Sequence, residues 1–209
     1  MSKKVLDTDI YCLTGEKFSK GRSNIEVVKE MIAAGVEVIQ YREKEKDMLD
    51  KYQEAKKLRQ LTKEAGVTFI INDDIDLALV VNADGVHIGQ DDLPVDVVRD
   101  LIGEDKIIGL STHSPQQARE AVVEGVDYIG VGPIFATDTK EDVCAPVGLE
   151  YLEYVVDNID LPFVAIGGIK EDNVELVVEK GASCVAMITE IVEAEDIHKK
   201  IKKIRQKMK

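Results

Sequence analysis

Short runs in which nearly every position is apolar alternate along the chain with longer stretches whose apolar positions recur at helical spacing. The apolar runs predict strands over Asp9–Thr14, Val36–Arg42, Thr68–Asn72, Gly85–Ile88, Ile107–Ser111, Tyr128–Val131, Phe163–Ile166 and Cys184–Ile188. Ile107-Ile108-Gly109-Leu110 is one such run: no polar position alternates with the apolar ones, as expected of parallel strands covered by helices. Between strands, Ile25, Val28, Ile32 and Ala33 share a helical face over Asn24–Ala34, with Gly35 as the stop. Leu49–Ala65 stops at Gly66, Gln116–Glu124 at Gly125 and Asn173–Lys180 at Gly181. Asp196–Lys209 predicts a last, basic amphipathic helix whose charged face is solvated surface.

Eight strand–helix units with short links and one composition throughout predict a single domain over residues 1–209. Its fold class is α/β, a (β/α)8 TIM barrel. The rival is an open doubly wound sheet. No Gly-x-Gly-x-x-Gly fingerprint follows the first strand, and the glycine signals sit late, so the closed barrel is preferred.

Composition narrows the function. The 209 residues, 44% hydrophobic, suffice for one core, and the net charge of −13 repels nucleic acid and anionic membranes. An anionic small substrate would therefore need a local cluster of cations. No apolar run approaches the roughly 20 residues of a membrane-spanning helix, and Met1-Ser2-Lys3-Lys4 leads into a strand without an apolar leader. Cys12, Cys144 and Cys184 lack metal-ligand spacing and read as reduced thiols, so a cytoplasmic protein is expected.

In a barrel of this class the chemistry gathers at the C-terminal strand ends. The second strand ends in Gln40-Tyr41-Arg42-Glu43-Lys44, where alternation puts Gln40, Arg42 and Lys44 on one side and Tyr41 and Glu43 on the other. Two cations and an amide suit a phosphate or diphosphate; a surface salt-bridge run with Glu43 and Glu45 is an equal alternative on these residues alone. The third strand ends in Asn72-Asp73-Asp74 and the fourth in Gly89-Gln90-Asp91-Asp92. Asp73 and Asp92 read as Mg²⁺ ligands completed by substrate phosphates, with capping of the helices that follow as the alternative, and Asp74 as a helix cap. His87, on an apolar strand, reads as packed and satisfied. Ser111 closes the fifth strand facing the cavity. The long loop after the sixth, with Thr137, Asp138, Thr139 and Lys140, reads as an anion-binding lid. Gly167-Gly168 after the seventh strand and Ile188-Thr189 after the eighth read as a backbone phosphate cradle, the strongest individual signal.

Two anion sites in one mouth are thus expected. At this point the residues resemble the thiamine-phosphate synthase family. The resemblance is carried by Gln40-Tyr41-Arg42-Glu43-Lys44, Ile70-Ile71-Asn72-Asp73, Ala83-Asp84-Gly85-Val86-His87-Ile88-Gly89-Gln90-Asp91-Asp92-Leu93-Pro94, Gly130 to Lys140, Pro146-Val147-Gly148-Leu149 and Ala165-Ile166-Gly167-Gly168-Ile169, in the family's order across nearly the whole chain. It implies that 4-amino-2-methyl-5-(diphosphooxymethyl)pyrimidine condenses with 4-methyl-5-(2-phosphooxyethyl)thiazole, by a dissociative, Mg²⁺-assisted substitution that releases pyrophosphate. It further implies that Gln40, Arg42, Lys44, Asn72, Ser111 and Lys140 hold the pyrimidine diphosphate, with Arg42, Lys44, Lys140 and Ser111 catalytic. Asp73 and Asp92 would hold Mg²⁺, and Thr137, Thr139, Gly168, Ile188 and Thr189 the thiazole phosphate. With the motif runs counted whole, Tyr41, Glu43 and Asp138 join the substrate-binding set. The expected partners are these two small substrates, with no nucleic acid or membrane, and a homo-oligomer is left open.

The chain departs from the family pattern at three places. Asp74 stands where Arg is common, and Thr189-Glu190 where Ser and Ala are common. A carboxylate at 190 would weaken thiazole-phosphate affinity. The loop Gly15-Glu16-Lys17-Phe18 has no reading from sequence. Two rivals frame the expectation: a related barrel that isomerises a thiazole phosphate with a histidine such as His113, and a non-catalytic phosphate-ligand sensor on the same scaffold.

Overall fold

The computed structural model describes residues 6–137, 139 and 144–209. Its strands are β1 (Ile10–Leu13), β2 (Val38–Tyr41), β3 (Thr68–Asn72), β4 (Gly85–Ile88), β5 (Ile107–Thr112), β6 (Tyr128–Val131), β7 (Phe163–Ile166) and β8 (Val185–Met187). They pair in sequence order, all parallel, and β1 pairs with β8 to close the barrel. The outer layer holds α1 (Asn24–Ala33), α2 (Met48–Ala65), α3 (Ile75–Val81), α4 (Val95–Ile102), α5 (Pro115–Glu124), α6 (Gly148–Asn158), α7 (Val174–Glu179), α8 (Thr189–Val192) and α9 (Ile197–Lys207). The fold is the expected (β/α)8 barrel, with strand ends within two residues of the predicted ones.

Two cores follow from strand alternation. One lies between sheet and helices; the other fills the barrel with Tyr11, Leu13, Val38, Ile70, Tyr128, Val164, Cys184 and Ala186. Gly109 makes room there: a Cβ on it would lie 2.1 Å from Cζ of Tyr128. Burying two tyrosines inside a barrel this narrow requires both the space and partners for their hydroxyls.

At the N-terminal ends of the strands one device recurs. The aspartate preceding β1, β4 or β6 is held by an arginine from a helix. Arg59 of α2 makes two bonds of 2.8 and 2.9 Å to Asp84, which also accepts from the Phe69 amide. Arg99 of α4 donates to Asp127, itself an acceptor for the Ile108 amide. Arg205 of α9 grips Asp9 with Nε and Nη2 and donates to the carbonyls of Ala34 and Gly35 at the end of α1. The charged face of α9 is therefore not merely solvated, as its pattern suggested; Arg205 and Lys200 are structural. Arg205→Met would leave two carbonyls and a carboxylate without this donor, and is expected to destabilise the fold by about 1–3 kcal/mol. Urea unfolding measures this, with turnover expected to stay unchanged because the expected site residues lie at the other end of the barrel.

Candidate active site

The C-terminal strand ends bring much of the expected set together. Thr14, fully buried after β1, accepts from the Arg42 amide at 2.8 Å and donates to its carbonyl, which fixes the backbone leaving β2. Arg42 is itself buried, and its Nε has no partner among the described residues. Burial lowers its pKa, while the charges of Asp73 and Glu43 act the other way. Lys44 Nζ reaches across to the Asp73 carboxylate.

Asp73 has φ +60, a left-handed conformation uncommon outside glycine, and its amide donates to the His87 carbonyl at 2.9 Å. The Asp73 side chain lies close enough to that of Asp92 for the two carboxylates to interact. Burial first, then the neighbouring charge of Asp73, raises the Asp92 pKa; the Gly89 amide, donating to Asp92 at 2.6 Å, opposes the shift. Two facing carboxylates in a partly buried place favour a shared cation. Among the described residues no group of three or more His, Cys, Asp or Glu is arranged to hold a metal ion. The donor set thus fits a hard cation that takes its remaining oxygens from water or a ligand, which is the habit of Mg²⁺.

Other assignments shift. Tyr41 and Glu43 point to the helix side of β2: Tyr41 donates to Glu54 at 2.8 Å, and Glu43 accepts from Asn24 Nδ2 and from the Glu16 amide. Strand alternation separates them from Gln40, so they lie outside the mouth. Asp74 occupies the position before α3 but makes no side-chain cap; its carboxylate takes Lys51 at 2.8 Å instead. Asp92 does not cap α4 either, since that helix starts three residues later. The hydroxyl that caps α5 belongs to Ser114. Asn72 closes β3 as expected.

Around β6 to β8 the second half of the site takes shape. Thr137 and Thr139 are joined hydroxyl to hydroxyl at 2.9 Å. Asp138 and Lys140 lie outside the described residues. Gly168, at φ +63, is packed against this loop: a Cβ on it would stand 2.5 Å from the Ala136 carbonyl. Ile188 and Thr189 open α8, whose first amides have no carbonyl ahead of them in the helix. Glu190 is turned away and satisfied by Lys200 of α9 at 2.8 Å, which also holds Glu171. The departure at 190 therefore places a paired carboxylate beside the cradle rather than a bare charge. The Glu16–Phe18 turn links the two halves. Glu16 and Lys17 tie to Glu43 and Glu45, and a Cβ on Gly15 would meet Ile188 at 3.0 Å.

Sequence reasoning missed the interior. His87 is buried and satisfied, as read, but its partners include Tyr128 and Ser111, and Tyr128 in turn meets Tyr11. Two tyrosines at inward strand positions, with a glycine opposite, were the available signal. His113 donates from Nδ1 to the Gly132 carbonyl at 2.5 Å, a contact that anchors the ring to the backbone after β6. At the opposite end of the barrel a cavity of about 740 Å³, lined in part by Asp9, His198, Lys202 and Arg205, contains none of the expected site residues.

Residues 10–191 match the model of a protein family described as thiamine monophosphate synthase. A thiamine-phosphate synthase from Pelotomaculum thermopropionicum is 66% identical over 201 residues, covering 96% of this chain and 92% of that protein. One from Lawsonia intracellularis is 54% identical over 96% of this chain and 93% of its own. Among solved structures, thiamine phosphate pyrophosphorylase from Pyrococcus furiosus superposes with a TM-score of 0.86 at 36% identity, covering 96% of this chain and 95% of that one.

Proposed function

This chain belongs to the thiamine monophosphate synthase family, transferases of thiamine biosynthesis, and on that premise we propose that it joins 4-amino-2-methyl-5-(diphosphooxymethyl)pyrimidine to 4-methyl-5-(2-phosphooxyethyl)thiazole in the cytoplasm. The observation that supports this most directly is the convergence of Arg42, Lys44, Asp73 and Asp92 on one strand-end corner.

The bond between the pyrimidine methylene and the diphosphate oxygen breaks with its electron pair going to oxygen. The thiazole nitrogen then supplies the pair for the new carbon–nitrogen bond. Negative charge accumulates on the departing diphosphate, so cations fixed near it act more strongly in the transition state than on the bound substrate. Arg42 and Lys44 carry that role here, joined by Lys140 on the ground of its sequence motif. Gln40 and Asn72 orient the aminopyrimidine, and Ser111 offers a hydroxyl at the same mouth. Thr137, Thr139, Gly168, Ile188 and Thr189 receive the thiazole phosphate, the last three through backbone. Asp73 and Asp92 would hold Mg²⁺, which when bound supplies Lewis-acid stabilisation to the diphosphate oxygens. No base or covalent nucleophile is called for.

The test is turnover of both substrates with Mg²⁺. Thiamine phosphate and pyrophosphate should appear in equal amounts when both substrates are present. Failure to make thiamine phosphate refutes the reading. Asp92→Asn should raise the Mg²⁺ concentration for half-maximal rate by about tenfold, roughly 1.4 kcal/mol of metal binding. A superimposable titration would remove Asp92 from the ligand set.

A further inference from the structure

Four contacts run unbroken across the inside of the barrel. Gln40 Nε2 donates to Tyr11 Oη at 2.9 Å, Tyr11 Oη meets Tyr128 Oη at 2.8 Å, Tyr128 Oη meets His87 Nδ1 at 2.9 Å, and His87 Nε2 meets Ser111 Oγ at 2.9 Å. The five side chains come from β2, β1, β6, β4 and β5. Both ends belong to the pyrimidine-diphosphate set proposed above; the three middle members have no role in it.

Each hydroxyl in such a chain has one proton to give. Tyr11 already accepts from an amide N–H, so its proton goes to Tyr128; otherwise a wholly buried donor would stand unmade, at about 1–3 kcal/mol. Burial pushes both phenols well above their ordinary pKa, which keeps them protonated and able to donate. Tyr128, having accepted from Tyr11, gives its proton to His87 Nδ1. A neutral imidazole that accepts at Nδ1 carries its proton at Nε2, and that proton points to Ser111 Oγ.

We propose that Tyr11, Tyr128 and His87 form a one-way hydrogen-bond relay that holds His87 as its Nε2–H tautomer and fixes Ser111 as a donor toward the substrate. They are positioning residues. The consequence for chemistry is specific. A serine 2.9 Å from a histidine nitrogen resembles an activated nucleophile with its base, yet here the histidine nitrogen facing the serine already bears a proton and cannot take another. Ser111 is left with a proton to offer to an acceptor atom of the pyrimidine diphosphate, and Gln40 is locked at the far side of the same ligand. Donor character at Ser111 matches a leaving group that gains negative charge. The inference rests on the proposed substrate only for what Ser111 points at; the direction of the relay is independent of it.

Nitrogen-15 correlation spectra of the imidazoles in the intact enzyme read the direction, with His87 assigned by the loss of its signals in His87→Asn. The expected result is a protonated Nε2 and an unprotonated Nδ1 for His87. A proton on Nδ1 overturns the relay. Tyr128→Phe removes the link and should redistribute the tautomers and lower kcat by about tenfold, with KM for the thiazole phosphate unchanged; unaltered tautomer and kcat would also overturn it. Tyr11→Phe serves if Tyr128→Phe does not fold. Should the enzyme fail to make thiamine phosphate while His87 is the Nε2–H tautomer, the functional reading falls and the relay stands.

Discussion

Arg42→Met is expected to lower turnover by about two to three orders of magnitude while leaving the folded protein at least as stable as before. The two halves of this result have one cause. The Arg42 guanidinium is buried, its Nε is without a partner among the described residues, and burial lowers its pKa. An unmade buried donor costs about 1–3 kcal/mol in the resting protein. Methionine fills a similar apolar space without that cost. When a diphosphate binds, the same dry surroundings strengthen every charge–charge contact to it, and removal of one such donor typically lowers kcat by about 10²–10³-fold. Stability withheld for the sake of a ligand is the usual signature of a functional group rather than a structural one. Steady-state kinetics and urea unfolding decide the matter together. Near-normal turnover would remove Arg42 from the site, and a stability loss above about 2 kcal/mol would make it a structural residue.

Which parts of this molecule could be read from the sequence depends on how local their causes are. The strands were legible because helices bury the outer face of the closed sheet and packed side chains fill its inner face, so Phe163–Ile166 and Val185–Met187 appear as unbroken apolar runs. The stops of α2 and α5 were legible because Gly66 and Gly125 adopt φ +71 and +75, which suits glycine. Alternation along β2 correctly separated Gln40 from Tyr41 and Glu43, and counting the motif whole put the latter two back into a site they do not face. Asp74 looked like a cap, and capping was the alternative for Asp92, because capping depends only on neighbours in sequence. Their actual partners, Lys51 for Asp74 and Asp73 with the Gly89 amide for Asp92, depend on how adjacent elements dock. The relay from Gln40 to Ser111 was invisible for the same reason. It depends on which inward positions of five strands reach one level, set by the stagger of the closed sheet rather than by any single strand.

The same dependence on neighbouring elements governs the second large expected effect, that of Gly168→Ala. Sequence alone assigns Gly168 to close approach of a phosphate, but its first close neighbour is protein. At φ +63 an L-residue is strained, by about 1–2 kcal/mol. The added Cβ would also stand 2.5 Å from the Ala136 carbonyl and 2.8 Å from the Phe135 Cβ, so the loop must move. That loop is pinned on the other side, where the amides of Ile134 and Phe135 donate to the carbonyls of Ile166 and Gly167. Asn173 holds the Gly168 carbonyl at 2.9 Å, so the glycine turn cannot simply swing outward. Strain therefore passes along the loop toward Thr137 and Thr139, which are proposed to take the thiazole phosphate. A displacement near 1 Å at a substrate-positioning group can cost about 10²-fold in rate. The expected result is a folded enzyme with its thermal midpoint lowered by a few degrees, roughly 1–2 kcal/mol. KM for the thiazole phosphate should rise at least tenfold, kcat should fall, and KM for the pyrimidine diphosphate should stay unchanged, because Arg42 and Lys44 stand on the other side of the mouth. Equal weakening of both substrates would mean that the turn supports the whole barrel rim rather than one phosphate site.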